Sequence, residues 1–358
     1  MATKSSEEAQ LDIATRFAAL VEAGNEGGDA IVVLPVTAQP LAAAIAASGR
    51  DGDEPLGAFP GREVVTVRDL GEVAQLAGCE PAYMPVLVAA LSAMLAEDFP
   101  SELLLKSARG YFPYVVINGP IRGALGINCR PNVFGPGFRA NATIGRALHL
   151  ALMRFGGAEP DRSTMGNAYK FACVVGEDEE HSPWPPLSTA FGFAAGEDIV
   201  TVMVGLHTQV LSHQLSREPE HLLRTYAEEL STVSQFDPLD IELAEGRHAP
   251  KAVLALASDH RGYFADAGWD RARMQTFLQG VTRRPAGDIR AAGHRTDPRL
   301  ADRSDDAEVP VFESASDFLI LSAGSGGGRA MTGSVAFAAA RRSEGAATPA
   351  PAAIAADL

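Results

Sequence analysis

The sequence predicts an α/β protein, with mixed or parallel sheets flanked by helices and a division into two similar-sized α/β subdomains. Two observations carry this. Short apolar segments, Tyr114–Ile117 (YVVI), Ala252–Ala257 (AVLALA) and Phe318–Ser322 (FLILS), each run into a turn, as buried strands entering loops do. Between them lie stretches with apolar residues at helical spacing, and that alternation is the mark of α/β architecture. The 358 residues suffice for one large domain or two ordinary ones, and 46% hydrophobic residues supply an ample core.

Taken in order, residues 8–23 read as a short amphipathic helix and Ala30–Leu34 (AIVVL) as a buried strand ended by Pro35. Residues 49–62 form a polar loop. From Val67 to Glu97 the pattern is two helices, broken at Gly78-Cys79-Glu80-Pro81, where a proline in the first turn of the second helix is well tolerated. After the strand at 114–117 comes the turn Asn118-Gly119-Pro120. The helix following Arg139 places Ile144, Leu148, Ala151, Leu152 and Phe155 on one face. Lys170–Val175 and Ile199–Val204 read as strands, residues 220–234 and 270–282 as helices. The strand at 318–322 leads into the glycine loop AGSGGGR, and the Ala/Pro-rich tail from Ser343 has the composition of a disordered segment.

The expected division is an N-terminal helical segment over 1–24, a first α/β domain over 25–205, a second over 206–340, and a disordered tail over 341–358. The first domain would hold the RANATIGRA helix and the acidic Ser-Pro-Trp loop, the second the glycine loop. No solenoid-type repeat is visible. The net charge of -15 argues against nucleic-acid binding, which needs clustered Lys and Arg, and disfavours an anionic membrane surface. No apolar run reaches the roughly 20 residues of a membrane helix. Cys79, Cys129 and Cys173 show no CxxC pairing, and no secretory leader is visible, so a cytoplasmic location is expected.

The richest stretch runs from Gly135 to Leu187. A Gly-rich turn at a helix start leaves N–H groups free, and with the helix dipole they favour an anion. Arg139, Asn141, Thr143 and Arg146 would add side-chain donors; an ordinary capped helix with surface arginines is the alternative. Lys170 and the run Glu177-Asp178-Glu179-Glu180-His181 offer acid–base groups, with Glu180 the chosen carboxylate, although such runs are commonly solvated loops. Trp184 between prolines would stiffen that loop and fold it over the helix beginning near Arg139. Cys79, at a helix junction, is either a nucleophile or a small core residue. Asn118 and the later Asn128 follow a strand end, where ligand loops collect, so both are candidate substrate-binding residues. His260, after AVLALA, is the histidine best placed for proton transfer, or else a capping residue. No His pair stands at ligand spacing, so no metal is expected. The glycine loop is neither a Walker A nor a GxGxxG opening a long helix, and it names no cofactor.

Several segments together resemble a poorly characterised bacterial family associated with UGSC-type thiol or selenol proteins. They are AGCEPAYMPVLVAALSAM, VVINGPIRGALGIN, GPGFRANATIGRALHLALMRFGGAEPDRSTMGNAYKF, GEDEEHSPWPPL, DHRGYFADAGWDRARMQTFLQGVTRRP and ILSAGSGGG, spread over about residues 65–330. Family members show Pro-Glu-His-Ala where Ser258-Asp259-His260-Arg261 stands here, and Pro-Gly before the lysine where Asn167-Ala168-Tyr169 precedes Lys170. The chain has no UGSC or Cys-Gly-Ser-Cys motif, so the resemblance implies that any thiol partner is a separate chain.

The expected function is an enzyme acting on a small polar, anionic substrate by acid–base or thiol-dependent chemistry, of lyase, hydrolase or transferase type. The alternative is an accessory subunit that supports a separate partner enzyme, with the acidic Trp-Pro loop as its interface; a plain ligand-binding protein is third. The enzyme reading expects Arg139, Lys170, Glu180 and His260 around one pocket. Oligomers are compatible with either.

Overall fold

A six-stranded mixed sheet runs through both halves of the chain. The computed structural model describes residues 31–107, 109–158, 171–232, 251–293, 298–326 and 329–343, with isolated positions 15, 18, 19, 21, 22, 29 and 166. In chain order the elements are α1 (Ala38–Ser48), β1 (Pro55–Ala58), β2 (Val64–Thr66), α2 (Val67–Ala77), α3 (Met84–Met94), α4 (Ser101–Lys106) and β3 (Phe112–Asn118). There follow α5 (Ile121–Ala124), α6 (Arg139–Arg154), β4 (Cys173–Gly176), β5 (Ile199–Ser212) and α7 (Pro219–Thr232). The remainder is β6 (Lys251–Leu256), α8 (Ser258–Asp266), α9 (Arg271–Val281), β7 (Arg283–Pro285), α10 (Ala286–Ala291), β8 (Glu308–Pro310), β9 (Phe318–Ser322) and β10 (Arg329–Arg342).

The sheet order is β4-β3-β5-β10-β6-β9. Strands β3 and β4 are parallel, as are β6 and β9, and every other neighbour is antiparallel. The two halves therefore repeat one topology. Each has a first strand, a helical crossover to a parallel outer strand, and a long antiparallel strand on the inner side. The two long strands, β5 and β10, pair at the centre. Even the ends match: Glu177 N–H bonds to Ile117 O at 3.1 Å, and Ala323 N–H bonds to Leu256 O at 3.1 Å.

Strand alternation sorts side chains into layers. Val115 and Ile117 of β3 pack with α2, α3 and α6, while Leu254, Leu256 and Ile320 pack with α7 and α9. The other face of both halves shares one core, with Tyr114, Val116, Met203, Val253, Leu319 and Leu321. Sharing that core curls the sheet until its outer strands meet beyond their ends, where Asp178 N–H bonds to Ser322 O at 2.7 Å. Two glycines permit the close approaches. Gly119 turns the chain at φ +89, where an added Cβ would lie 2.4 Å from Glu197 O, and a Cβ on Gly145 would lie 2.4 Å from Ala172 O.

The strands expected at 114–117, 252–257 and 318–322 all lie in this sheet. The expected domain boundary at 205 falls inside β5, and the two halves share one sheet. Corrections are local. Ile31–Leu34 is not a strand; it lies along α2, with Leu34 N–H bonded to Leu76 O at 3.3 Å. Strand β10 was not expected at all. The helix expected over 8–23 rests mostly outside the described residues, as does the tail expected over 341–358, of which Arg341 and Arg342 instead end β10.

Candidate functional site

The site forms where the ends of β3, β4 and β9 converge. Asn118, the last residue of β3, is fully buried and donates through Nδ2 to Glu177 Oε2 at 2.7 Å and Glu179 Oε1 at 3.0 Å. The Gly119 turn then carries the chain into α5, whose Arg122 is 4% exposed. Arg122 Nε donates to Gly119 O at 3.0 Å and Nη1 to Glu177 O. Both oxygens of Glu180 accept from its guanidinium, at 2.9 and 3.3 Å, and Glu179 stands 3.3 Å from Nε. Burial works to depress the Arg122 pKa, but Glu180 and Glu179 outweigh it and hold it above the ordinary arginine value. The same contact with Arg122 holds Glu180 below the usual carboxylate range.

Beyond β4 the acidic loop turns inward. Glu177 is fully buried and accepts from Leu187 N–H at 2.6 Å and Ser322 N–H at 3.3 Å, with Arg271 3.5 Å away. Burial raises its pKa, opposed by Arg271 and these donors. Asp178, 1% exposed, lies between Arg261 Nη1 at 3.1 Å and His181 Nδ1 at 2.8 Å. His181 is about half exposed, at 49% of its side chain. Its Nε2 has no described partner. A buried carboxylate thus orients an accessible imidazole.

Cys129 completes the cluster. Its side chain stands beside Arg122, with Cys129 Cβ and Arg122 Cδ 3.1 and 3.4 Å from where a Cβ on Gly176 would lie, and its carbonyl accepts from Gly324 N–H at 2.9 Å. Burial and then Asp178 push the thiol pKa up, while Arg122 draws it down. The cluster therefore joins a half-buried thiol, an Asp–His pair and a buried guanidinium. Chemically it can bind an anion on Arg122, move a proton through His181 and offer a sulfur nucleophile.

Of the residues singled out from sequence, Glu180 and Asn118 lie in this cluster. Asn128 supports its rim, with Oδ1 accepting from Arg130 N–H and its carbonyl accepting from Gly176 N–H. The other residues lie elsewhere. The donors at the start of α6 are engaged within the protein. Arg139 pairs with Glu80 at 2.9 Å and Gly78 O, and Thr143 Oγ1 donates to Arg139 O. Asn141 is buried and bonds to Asn128 and Val174. Arg146 grips Asp29 at 2.7 and 3.0 Å and also donates to Ile31 O. The acidic loop accordingly folds onto Arg122, Arg261 and Arg271, not onto Arg139 and Arg146.

His260 is fully buried, with Nδ1 2.6 Å from Tyr226 OH and Nε2 2.9 Å from His213 O. Cys79 packs on the helical core, where burial pushes its thiol up to about 12, against the helix-terminus effect expected of a nucleophile. Lys170 lies outside the described residues. Arg139, Glu180 and His260 therefore do not share one pocket.

Arg122, Arg261, Arg271 and Cys129 went unchosen in the sequence. A signal for two of them exists: an Arg-Gly pair begins five residues after Ile117 and five after Leu256. It becomes visible once the two halves are aligned as a repeat. No family model, curated protein or solved structure matches the chain. Among the described residues no group of three or more His, Cys, Asp or Glu is arranged to hold a metal ion, and no helix is long and apolar enough to cross a membrane.

Proposed function

We propose that the protein is an enzyme that acts on a small polar, anionic substrate by thiol-dependent chemistry, with Cys129 as nucleophile. The observation that carries this reading is the 2.8 Å pair of buried Asp178 and half-exposed His181, with Asp178 near enough to the Cys129 thiol to raise its pKa and Arg122 beside the same cysteine at Gly176. With its pKa raised, the Cys129 thiol is protonated at neutral pH, so it needs a base. His181 fills that role, its tautomer set by the Asp178 carboxylate. Arg122 binds the negative charge of the substrate.

The accessory-subunit reading, with a separate thiol partner, needs the Trp-Pro loop as an interface. Trp184 is instead buried, and its Nε1–H donates to Trp269 O at 3.1 Å. The test is residue-resolved alkylation by iodoacetamide, read by mass spectrometry. Cys129 is expected to react first, because Cys79 and Cys173 are both pushed up to about 12 by burial. His181→Gln is expected to slow Cys129 selectively. Equal rates at all three cysteines, or a Cys129 rate indifferent to His181→Gln, would overturn the reading.

A further inference from the structure

We propose that the Glu180 side chain occupies the seat of a substrate carboxylate on Arg122, so that the site recognises a monoanionic carboxylate by exchange with its own. This rests on the proposed site and names its substrate class. Three observations lead to it. Arg122 and Glu180 are unequally buried: the arginine side chain is 4% exposed and the glutamate 64%. The inner donors of the guanidinium are held by Gly119 O and Glu177 O, while the outer edge meets both Glu180 oxygens. Cys129 stands beside the same arginine, its Cβ and Arg122 Cδ both flanking Gly176, 3.1 and 3.4 Å from where a Cβ there would lie.

Glu180, exposed to water, is the partner that can be exchanged, at the cost of its ion pair until another anion takes its place. Glu180 swinging into water leaves two N–H groups of Arg122 open at the surface. A planar carboxylate matches that edge in the same bidentate manner. Its remaining atoms then lie beside the Cys129 sulfur. Charge selects the class further. Arg122, Arg261 and Arg271 already face Glu177, Asp178, Glu179 and Glu180. A monoanion in place of Glu180 leaves this balance unchanged. A phosphate dianion adds a negative charge among the carboxylates that remain, which is unfavourable.

Iodoacetate and iodoacetamide give a matched pair of probes. Both alkylate a thiolate with loss of iodide, but only iodoacetate carries the carboxylate. Rates at Cys129 are measured in the full-length wild type, Glu180→Ala and Glu180→Gln, at constant ionic strength. The iodoacetate-to-iodoacetamide ratio is expected to rise roughly tenfold in both variants, the scale of one charge-assisted hydrogen bond. Acetate should compete with iodoacetate in the variants, and inorganic phosphate at the same concentration should not. An unchanged ratio overturns the proposal, and so does phosphate protecting as well as acetate. A separate readout covers the case in which Cys129 is unreactive and the thiol reading fails. Acetate should then still raise the melting temperature of Glu180→Ala above that of a chloride control, and more than it does for wild type. No acetate-specific rise sinks the carboxylate seat on its own account.

Discussion

Replacing Glu177 by glutamine keeps the side chain's volume and removes one acceptor oxygen. Both oxygens of Glu177 face donors. Oε2 accepts from Asn118 Nδ2 at 2.7 Å and Leu187 N–H at 2.6 Å; Oε1 accepts from Ser322 N–H at 3.3 Å and lies 3.5 Å from Arg271. Whichever way the glutamine amide turns, its NH2 confronts two donors. The less costly orientation keeps the two short bonds and abandons Ser322 and Arg271. An unpartnered buried N–H costs about 1–3 kcal/mol. Burial already outweighs the attraction of Arg271 at 3.5 Å, so the lost bond to Ser322 sets the scale and we expect about 1–3 kcal/mol, seen as a fall of roughly 1–4 °C in melting temperature for a chain of this size.

The pH dependence has a defined sign. Burial raises the folded pKa of Glu177 above its ordinary value of 4.5. A carboxylate raised on folding gives stability that is complete below the unfolded pKa and is lost as pH rises through the folded one. Wild type has this slope and Glu177→Gln lacks it. The stability gap between them should therefore narrow as pH rises from about 4.5. Urea titrations across that range measure it. A loss below about 1 kcal/mol at every pH, or a gap that widens with pH, would show that the buried network does not hold the two halves together as drawn.

Two further substitutions test the frame around the site. Gly119→Ala puts a Cβ 2.4 Å from Glu197 O at φ +89, and left-handed strain with overpacking should cost about 2–5 kcal/mol by denaturant titration. Arg146→Ala strands Asp29, which is 3% exposed, so it should destabilise by about 3–5 kcal/mol and leave Cys129 alkylation unchanged. A stable Arg146→Ala protein with altered Cys129 labelling would return Arg146 to the site.

What was legible in the sequence follows from how each element is stabilised. Helix α2 announces itself locally, with a Thr66–Asp69 capping box at one end and Gly78 in the left-handed conformation at the other. The strands at 114–117 and 318–322 are apolar on both faces, because both faces are buried. Strand β10 has neither signal. Its sequence RAMTGSVAFAAARR is rich in alanine, a poor strand former, and its extended form is imposed by β5 and β6 on its two sides. For the site the limit was distance along the chain. Arg261 meets Asp178 across 83 positions, and Ser322 meets Glu177 across 145. Charge runs and glycine turns are visible one at a time; which arginine a carboxylate reaches is a property of the curled sheet. Read from sequence, the loop over 177–184 folds over the helix of Arg139 and Arg146; the arginines it meets in space are Arg122, Arg261 and Arg271.

The internal repeat explains why the charged groups gather in one place. Arg122 and Arg261 occupy corresponding positions, five residues past Ile117 and Leu256, whose carbonyls accept the matching bonds from Glu177 and Ala323. The loops that follow the outer strands do not correspond in chemistry. After β4 the chain reads Glu-Asp-Glu-Glu; after β9 it reads Ala-Gly-Ser-Gly-Gly-Gly, with no carboxylate at all. Arg122 can therefore be matched by its own half, through Glu179 and Glu180. Arg261 finds no carboxylate in the loop after β9 and pairs across with Asp178. That crossing does two things at once. It ties the halves together through a buried ion pair, and it fixes the carboxylate that orients His181. A symmetric protein with two acidic loops could satisfy each arginine within its own half and would then lack the crossing pair that fixes Asp178 against His181. In the proposed reading, it is the loss of symmetry between the two loops that turns a structural repeat into a single reactive centre.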